Sequence, residues 1–414
     1  VDERGHPVVL TVTPEDLRLR SYDRLNGSLR WERNFNDIAG LRYPLQAALA
    51  VDQLRDRILV LGTKSEGFEQ GGPAEMLAFD FNGDNTERYS LGELTYPVIN
   101  GAYVSPDGEL LLGNGCSRRR WPNYTSSTRA ENFSLCDQPN RVDRPSLTYL
   151  NWQEMYFTGA LRSENRFDHD LFVTATEETD LRWTFSEGRE GQQDEEYPVA
   201  AGVAPNGSGY YFLASAPRED SNYVPQLTKV NTAGTVVWQR FLPLAGPINS
   251  YGRGLRVLRN GNVLVSLAGR GQTGDFIISP IGDMVTGQSG ITEFNHHPRS
   301  QSFPLELNDG SLLTHEGLRV PGAEDRVVLH RYSPDFANAT FFEVNGFPSG
   351  ALTGLIDLGD ESVLLLGRPE RELSTVTAVR YDLSTRSVSW RWTMGSFAVG
   401  AREIDGAVKT DDGE

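Results

Sequence analysis

The chain has 414 residues, with 56 Asp and Glu against 39 Lys and Arg, a formal net charge of -17 and a pI near 4.9. That balance excludes nucleic acid and anionic membrane surfaces as partners, because both are held by clustered cations. Mean hydropathy is -0.42, and no apolar run approaches the roughly eighteen residues that a membrane-spanning helix requires, so no membrane span is expected.

In chain order, apolar runs begin near Val8 (VVLTVT), Arg57 (RILVLG), Glu109 (ELLLGNG), Met155 (MYFTGAL), Gly209 (GYYFLAS), Asn262 (NVLVSLAG), Ser311 (SLLTHEG) and Ser362 (SVLLLG). Their spacing stays close to fifty residues. A second series of tight turns follows them, in YDRLNGSLRW at Tyr22, FDFNGDNTERYS at Phe79, ATEETDLRW at Ala175, VNTAGTVVW at Val230, ISPIGDMVT at Ile278, YSPDFANATFF at Tyr332 and YDLSTRSVSW at Tyr381. Short strands repeating at this period, with plentiful Gly and Pro and no sustained helical periodicity, predict an all-β propeller.

Eight four-stranded blades are the favoured count. The turn series has one gap, at Cys116 to Pro145, so the alternative is seven blades with an insertion at 115–150. The N-terminus opens on a second strand without a first, and AREIDGAVKTDDGE reads as an innermost strand without a continuation. Pairing the two would close the ring and remove an open sheet edge. Residues 1–414 are therefore read as one propeller domain, and Val1, so near the first strand, as the start of a processed chain.

Cys116 and Cys136 flank CSRRRWPNYTSSTRAENFSLC, where the repeat fails. The expectation is an irregular loop over 115–145 in the third blade, stapled by a disulfide that contributes roughly 3 kcal/mol. Such a bond implies a secreted, cell-surface or periplasmic location. Arg118, Arg119, Arg120 and Trp121, with Tyr124 and Phe133, form the candidate binding surface, since Arg, Trp and Tyr concentrate interface energy and binding residues favour loops on rigid scaffolds. The competing reading is a solvated loop with its Arg paired to Glu131 and Asp137.

The segment LTKVNTAGTVVWQRFL from Leu227, with the run that follows from Gly254, resembles the repeats of secreted bacterial propellers, especially surface and secretion-cargo proteins of the Bacteroidetes. YDRLNGSLRW and YDLSTRSVSW are similar to the Trp-ended blades of pyrroloquinoline-quinone-like propellers. This resemblance implies a fold, in which Gly makes the turn and Trp fills space between blades, and it leaves the ligand open. Quinoprotein dehydrogenases of that kind carry a vicinal disulfide, whereas here the cysteines are twenty positions apart.

Other motifs carry little chemistry. Gly269, Gly271 and Gly274 match a dinucleotide fingerprint, but lie between two predicted strands and open no helix. Asp80, Asn82 and Asp84 alternate like calcium ligands, without a Glu at the twelfth position. No cofactor is therefore expected, with calcium there as the alternative. His296, His297 and Arg299 precede an innermost strand and are candidates to line the channel; arylsulfotransferase propellers use a channel histidine. The favoured function is a non-catalytic extracytoplasmic propeller that binds a protein or glycan as an adhesion, scaffold or assembly subunit. A channel enzyme, quinoprotein-like or sulfuryl-transferring, is the alternative.

Overall fold

A computed structural model describes residues 6–394 except 7, 24, 106 and 206 and the stretches 13–16, 35–46, 64–72, 85–86, 94–98, 115–116, 127–130, 135–140, 152–153, 163–168, 178–179, 188–196, 218–222, 243–249, 270–271, 292–303, 319–325, 345–346, 348–349 and 370–375. The described residues form thirty-one strands and no helix. Sheet 1 holds Val8–Val12 (β1), Leu17–Tyr22 (β2) and Leu29–Asn34 (β3). Sheet 2 holds Ala47–Asp52 (β4), Arg57–Thr63 (β5), Pro73–Asp80 (β6) and Glu87–Glu93 (β7). Sheet 3 holds Ile99–Val104 (β8), Leu110–Asn114 (β9), Ser117–Trp121 (β10) and Glu131–Ser134 (β11). Sheet 4 holds Arg141–Asn151 (β12), Glu154–Arg162 (β13), His169–Glu177 (β14) and Asp180–Glu187 (β15).

Sheet 5 runs through Tyr197–Val203 (β16), Tyr210–Pro217 (β17), Tyr223–Val230 (β18) and Val236–Phe241 (β19). Sheet 6 runs through Ser250–Val257 (β20), Val263–Gly269 (β21), Gln272–Ile278 (β22) and Met284–Ile291 (β23). Sheet 7 comprises Leu305–Glu306 (β24), Leu312–Leu318 (β25), Arg326–Tyr332 (β26) and Ala339–Glu343 (β27). Sheet 8 comprises Gly350–Asp357 (β28), Ser362–Pro369 (β29), Val376–Asp382 (β30) and Ser387–Met394 (β31). Every sheet is an antiparallel meander in chain order: seven have four strands and the first has three.

Seven of the eight apolar runs became the second strands of sheets 2 to 8, and the run at Val8 is the first described strand of sheet 1. β5 shows why such runs are apolar throughout, being buried on both faces. In β5, Ile58 and Val60 pack toward sheet 1 with Leu19 and Phe79, whereas Leu59 and Leu61 pack toward sheet 3 with Leu110, Leu112 and Trp121. The core is thus a set of layers between successive sheets, and truncating one such Leu to Ala costs about 2–5 kcal/mol. Outer strands read differently: β19 is exposed at both ends and half-buried only at its centre.

One interlock recurs between sheets. Trp31 Nε1 donates to Phe81 O at 3.0 Å, and its ring lies where a Cβ on Gly83 would come within 2.7 Å. Trp183 meets Gly234 and Thr232 O in the same way, and Trp238 meets Gly282 and Pro280 O. These turn glycines have positive φ, so a side chain there would strain the turn as well as strike the indole. Trp390 of sheet 8 lies against Gly27 of sheet 1 with the same geometry, Arg380 Nη1 donates to Leu25 O at 3.2 Å, and Tyr22 packs on Trp392.

Sheets 6, 7 and 8 are joined by a variant of this interlock. By register, Thr286 and Thr340 occupy the strand positions that hold Trp238 and Trp31 elsewhere. The facing turns carry Phe336 and Arg386, both at positive φ, in place of glycine. Phe336 is buried and stacks on Tyr332 at 4.1 Å; Arg386 lies over Phe342. The bulk has moved from the strand of one sheet to the turn of the next.

The segment 115–145 differs from the expected irregular loop. Ser117–Trp121 and Glu131–Ser134 are the third and fourth strands of sheet 3, paired Arg118 to Phe133 and Arg120 to Glu131. Between them these strands carry three Arg and an Asn, which is why their composition looked loop-like. Cys116, Cys136 and residues 395–414 lie outside the described residues, so neither the disulfide nor terminal strand pairing is described. Serial antiparallel meanders packed face to face, with the last against the first, have the architecture of a β-propeller.

Candidate binding face

Because all strands alternate in direction, the connections from second to third strand and from one sheet to the next share one end. The hairpins within the first and second, and third and fourth, strands share the other. The latter are tight: Gly83, Gly234 and Gly282 donate to Asp80 O, Asn231 O and Ser279 O. The former include 35–46, 64–72, 188–196 and 292–303. Cys116, Cys136, His296, His297 and Arg299 belong to connections at this long-connection end and lie outside the described residues.

Innermost strands are bulged near that same end. Register shifts leave an extra residue in β8 at Asn100, β16 at Val199, β20 at Arg253 and β28 at Thr353, and set two residues of β12, between Asp143 and Ser146, against one of β13. Bulges re-aim side chains and end pairing, and they recur beside binding sites. Arg253 is 5% exposed, and Gly252 N donates to Ser215 Oγ at 3.2 Å beside it.

The sequence-selected cluster on sheet 3 separates into distinct roles. Trp121 and Tyr124 are buried in the layer between sheets 2 and 3 and present no aromatic surface. The Tyr124 hydroxyl donates to Asp52, and Arg55 donates to Asp52 Oδ2 at 2.9 Å and Gly108 O at 3.1 Å while lying 5.0 Å over the Tyr124 ring. Burial, then the Asp52 contact, pushes the Tyr124 phenol well up. Arg120 forms a two-pronged pair with Glu109, Nε to Oε2 at 3.2 Å and Nη2 to Oε1 at 2.8 Å; Asp137 lies outside the described residues. Arg119 Nη1 lies 3.4 Å from Leu91 O, and burial pulls its guanidinium down. Arg118 and Phe133 pair by register beside the connections that carry the cysteines.

At the calcium candidate, Asp80 Oδ1 accepts the backbone N–H groups of Asn82 and Asp84, and Asp84 pairs with Arg33 across to sheet 1 at 2.6 Å. These contacts make the turn and its seam. Among the described residues no cluster of three His, Cys, Asp or Glu has metal-holding geometry. Gly269 ends β21 and β22 starts at Gln272, so the glycine fingerprint spans a strand-to-strand connection.

A buried polar network escaped the sequence reading. Asp275 of sheet 6 accepts from Ser266 Oγ at 2.6 Å, Thr314 Oγ1 at 2.7 Å and Tyr332 OH at 2.8 Å, the latter two on sheet 7, and His330 Nδ1 lies 3.8 Å away. Burial alone would raise its carboxyl; His330, Ser266 and Thr314 together hold it below the usual range. The equivalent third-strand positions carry Met76, Leu227, Leu329 and Ala378, so an Asp amid apolar residues was the available signal.

No family model matches the chain, and neither does any curated protein. Solved structures do. A eukaryotic initiation factor superposes with a TM-score of 0.51 at 9% identity, over 94% of this chain and 88% of that one. Puromycin hydrolase gives 0.48 at 14% identity, over 83% of this chain, which spans 53% of the hydrolase. The β-propeller domain of the Trilobed protease from Pyrococcus furiosus gives 0.37 at 12% identity, over 59% of this chain and 69% of that domain. At such identities the likeness is one of fold alone. No described helix is long and apolar enough to cross a membrane.

Proposed function

We propose that the chain is an eight-bladed extracytoplasmic propeller, closed by pairing of its N-terminal strand with one from AREIDGAVKTDDGE, that binds a protein or glycan as an adhesion, scaffold or assembly subunit. The long-connection end, with the bulged inner strands beneath it and Arg118 at its rim, is the binding face. The carrying observation is the difference between the two ends: tight hydrogen-bonded turns at one, long connections and inner-strand bulges at the other. Recognition residues concentrate on loops held by a rigid scaffold.

Affinity capture from an extract of the producing organism, read by mass spectrometry, tests this reading. Arg118→Ser and replacement of 292–303 by a short Gly-Ser linker are expected to lose the captured partner. Leu54→Ser, on an exposed turn at the opposite end, is expected to keep it. Equal capture by all three variants removes the long-connection end from consideration.

A further inference from the structure

The outer rim holds a second surface, independent of the proposed binding face. β23 ends its sheet, and among the described residues no strand pairs with its outer side. Each of the other seven outermost strands carries a charged residue, as with Arg33 in β3, Arg240 in β19 and Glu343 in β27, whereas Met284–Ile291 has none. Charges on an edge strand are a standard guard against pairing with another chain. Beside this unguarded edge, Ile281 is 71% exposed, Met284 54% and Val285 57%. The Trp that covers the corresponding position in other sheets is replaced by Thr286.

We propose that β23 is the contact between two copies of this chain, paired antiparallel about a two-fold axis. Such a contact sets identical surfaces opposite each other. For a chain of net charge -17, most of the surface then opposes like charge to like. β23 avoids this: Met284–Ile291 is uncharged along its whole length, and Arg240 Nε, 3.2 Å from Gly282 O, offsets the charge of Asp283 just before it. A charged foreign segment would find no complementary charge along this edge, whereas a second copy brings an equally uncharged strand with matching Met284 and Val285 side chains.

Sedimentation equilibrium of the full chain at low and high sodium chloride tests this. The expected result is a reversible dimer that tightens with salt as mutual repulsion is screened. Val285→Lys is expected to weaken it about tenfold or more by putting a charge on the edge of each copy that the pairing would have to desolvate. Leu54→Lys, an equally exposed change on sheet 2, is expected to leave it unaltered. If Val285→Lys lowers the unfolding midpoint, Met284→Lys takes its place. A monomer at both salts, a dimer indifferent to the lysine on β23, or equal weakening by Leu54→Lys overturns the proposal. So does a monomer that instead captures an unrelated peptide.

Discussion

Trp390 packs on Gly27, 363 positions earlier in the chain, with the geometry that joins Trp31 to Gly83 within consecutive sheets. A Cβ on Gly27 would lie 2.5 Å from the indole, and Gly27 has φ +69°. Trp390→Ala is expected to cost about 3–5 kcal/mol by opening a cavity, and Gly27→Ala to destabilise by more than about 1 kcal/mol through turn strain. Because both act on one seam, the double variant is expected to lose less than the sum in urea unfolding. Strict additivity would mean the first and last sheets do not meet in solution.

The exchange of bulk at the next seams makes a sharper test. Thr286→Trp is expected to destabilise by about 1–3 kcal/mol by overpacking against Phe336. Phe336→Gly alone is expected to leave a void and cost about 3 kcal/mol. Combined, they recreate the Trp–Gly pairing, and the thermal midpoint is expected to recover above that of either single variant.

Asp275 gives the fold an acid-sensitive seam. Its carboxyl is held below its ordinary value of 3.8, and a group depressed in the folded state stabilises above its unfolded value. That contribution is fully present above pH 3.8 and is lost as pH falls through the folded-state value. Asp275→Asn is expected to flatten the acid limb of stability against pH. Asp275→Ala is expected to cost about 1–3 kcal/mol at neutral pH by leaving Ser266, Thr314 and Tyr332 without their acceptor. An unchanged acid limb in Asp275→Asn would assign it to other carboxylates.

Arg118 and Arg120 are expected to separate stability from recognition. Arg120→Ser breaks the pair with Glu109, which is partly buried on both sides, and is expected to cost about 1 kcal/mol. Arg118→Ser is expected to leave the melting temperature unchanged. Differential scanning calorimetry of the two single variants distinguishes them.

Cys116 and Cys136 are expected to be linked in protein isolated from its source, which non-reducing peptide mapping reads directly. Reduction is expected to lower stability by roughly 3 kcal/mol. Two free thiols would remove the support for an extracytoplasmic location.

The second strands were legible because burial on both faces makes each an unbroken apolar run, as in Ile58 to Leu61. The outer pair of sheet 3 was not, since SRRRW and ENFS carry the polar composition of a loop and only their register with Leu110 to Asn114 makes them strands. Trp121 and Tyr124 read as surface because their partners, Leu59 and Asp52, lie in the preceding repeat. Glu109 was overlooked as the partner of Arg120 because it sits across a strand pair. Phe336 at a glycine position makes sense only beside the register that puts Thr286 where sheets 1 and 5 carry Trp.

That last substitution limits how such a ring can be assembled by duplication. Sheets bounded by Trp and Gly are interchangeable modules, because each presents an indole on one side and a slot for one on the other. Sheet 7 is keyed. Set after sheet 4, it would drive Trp183 into Phe336; set after sheet 6, sheet 5 would leave Gly234 and Thr286 facing an empty slot. The order of the modules is thus written into their seams, and a permuted or extended ring would have to change both sides of a joint together.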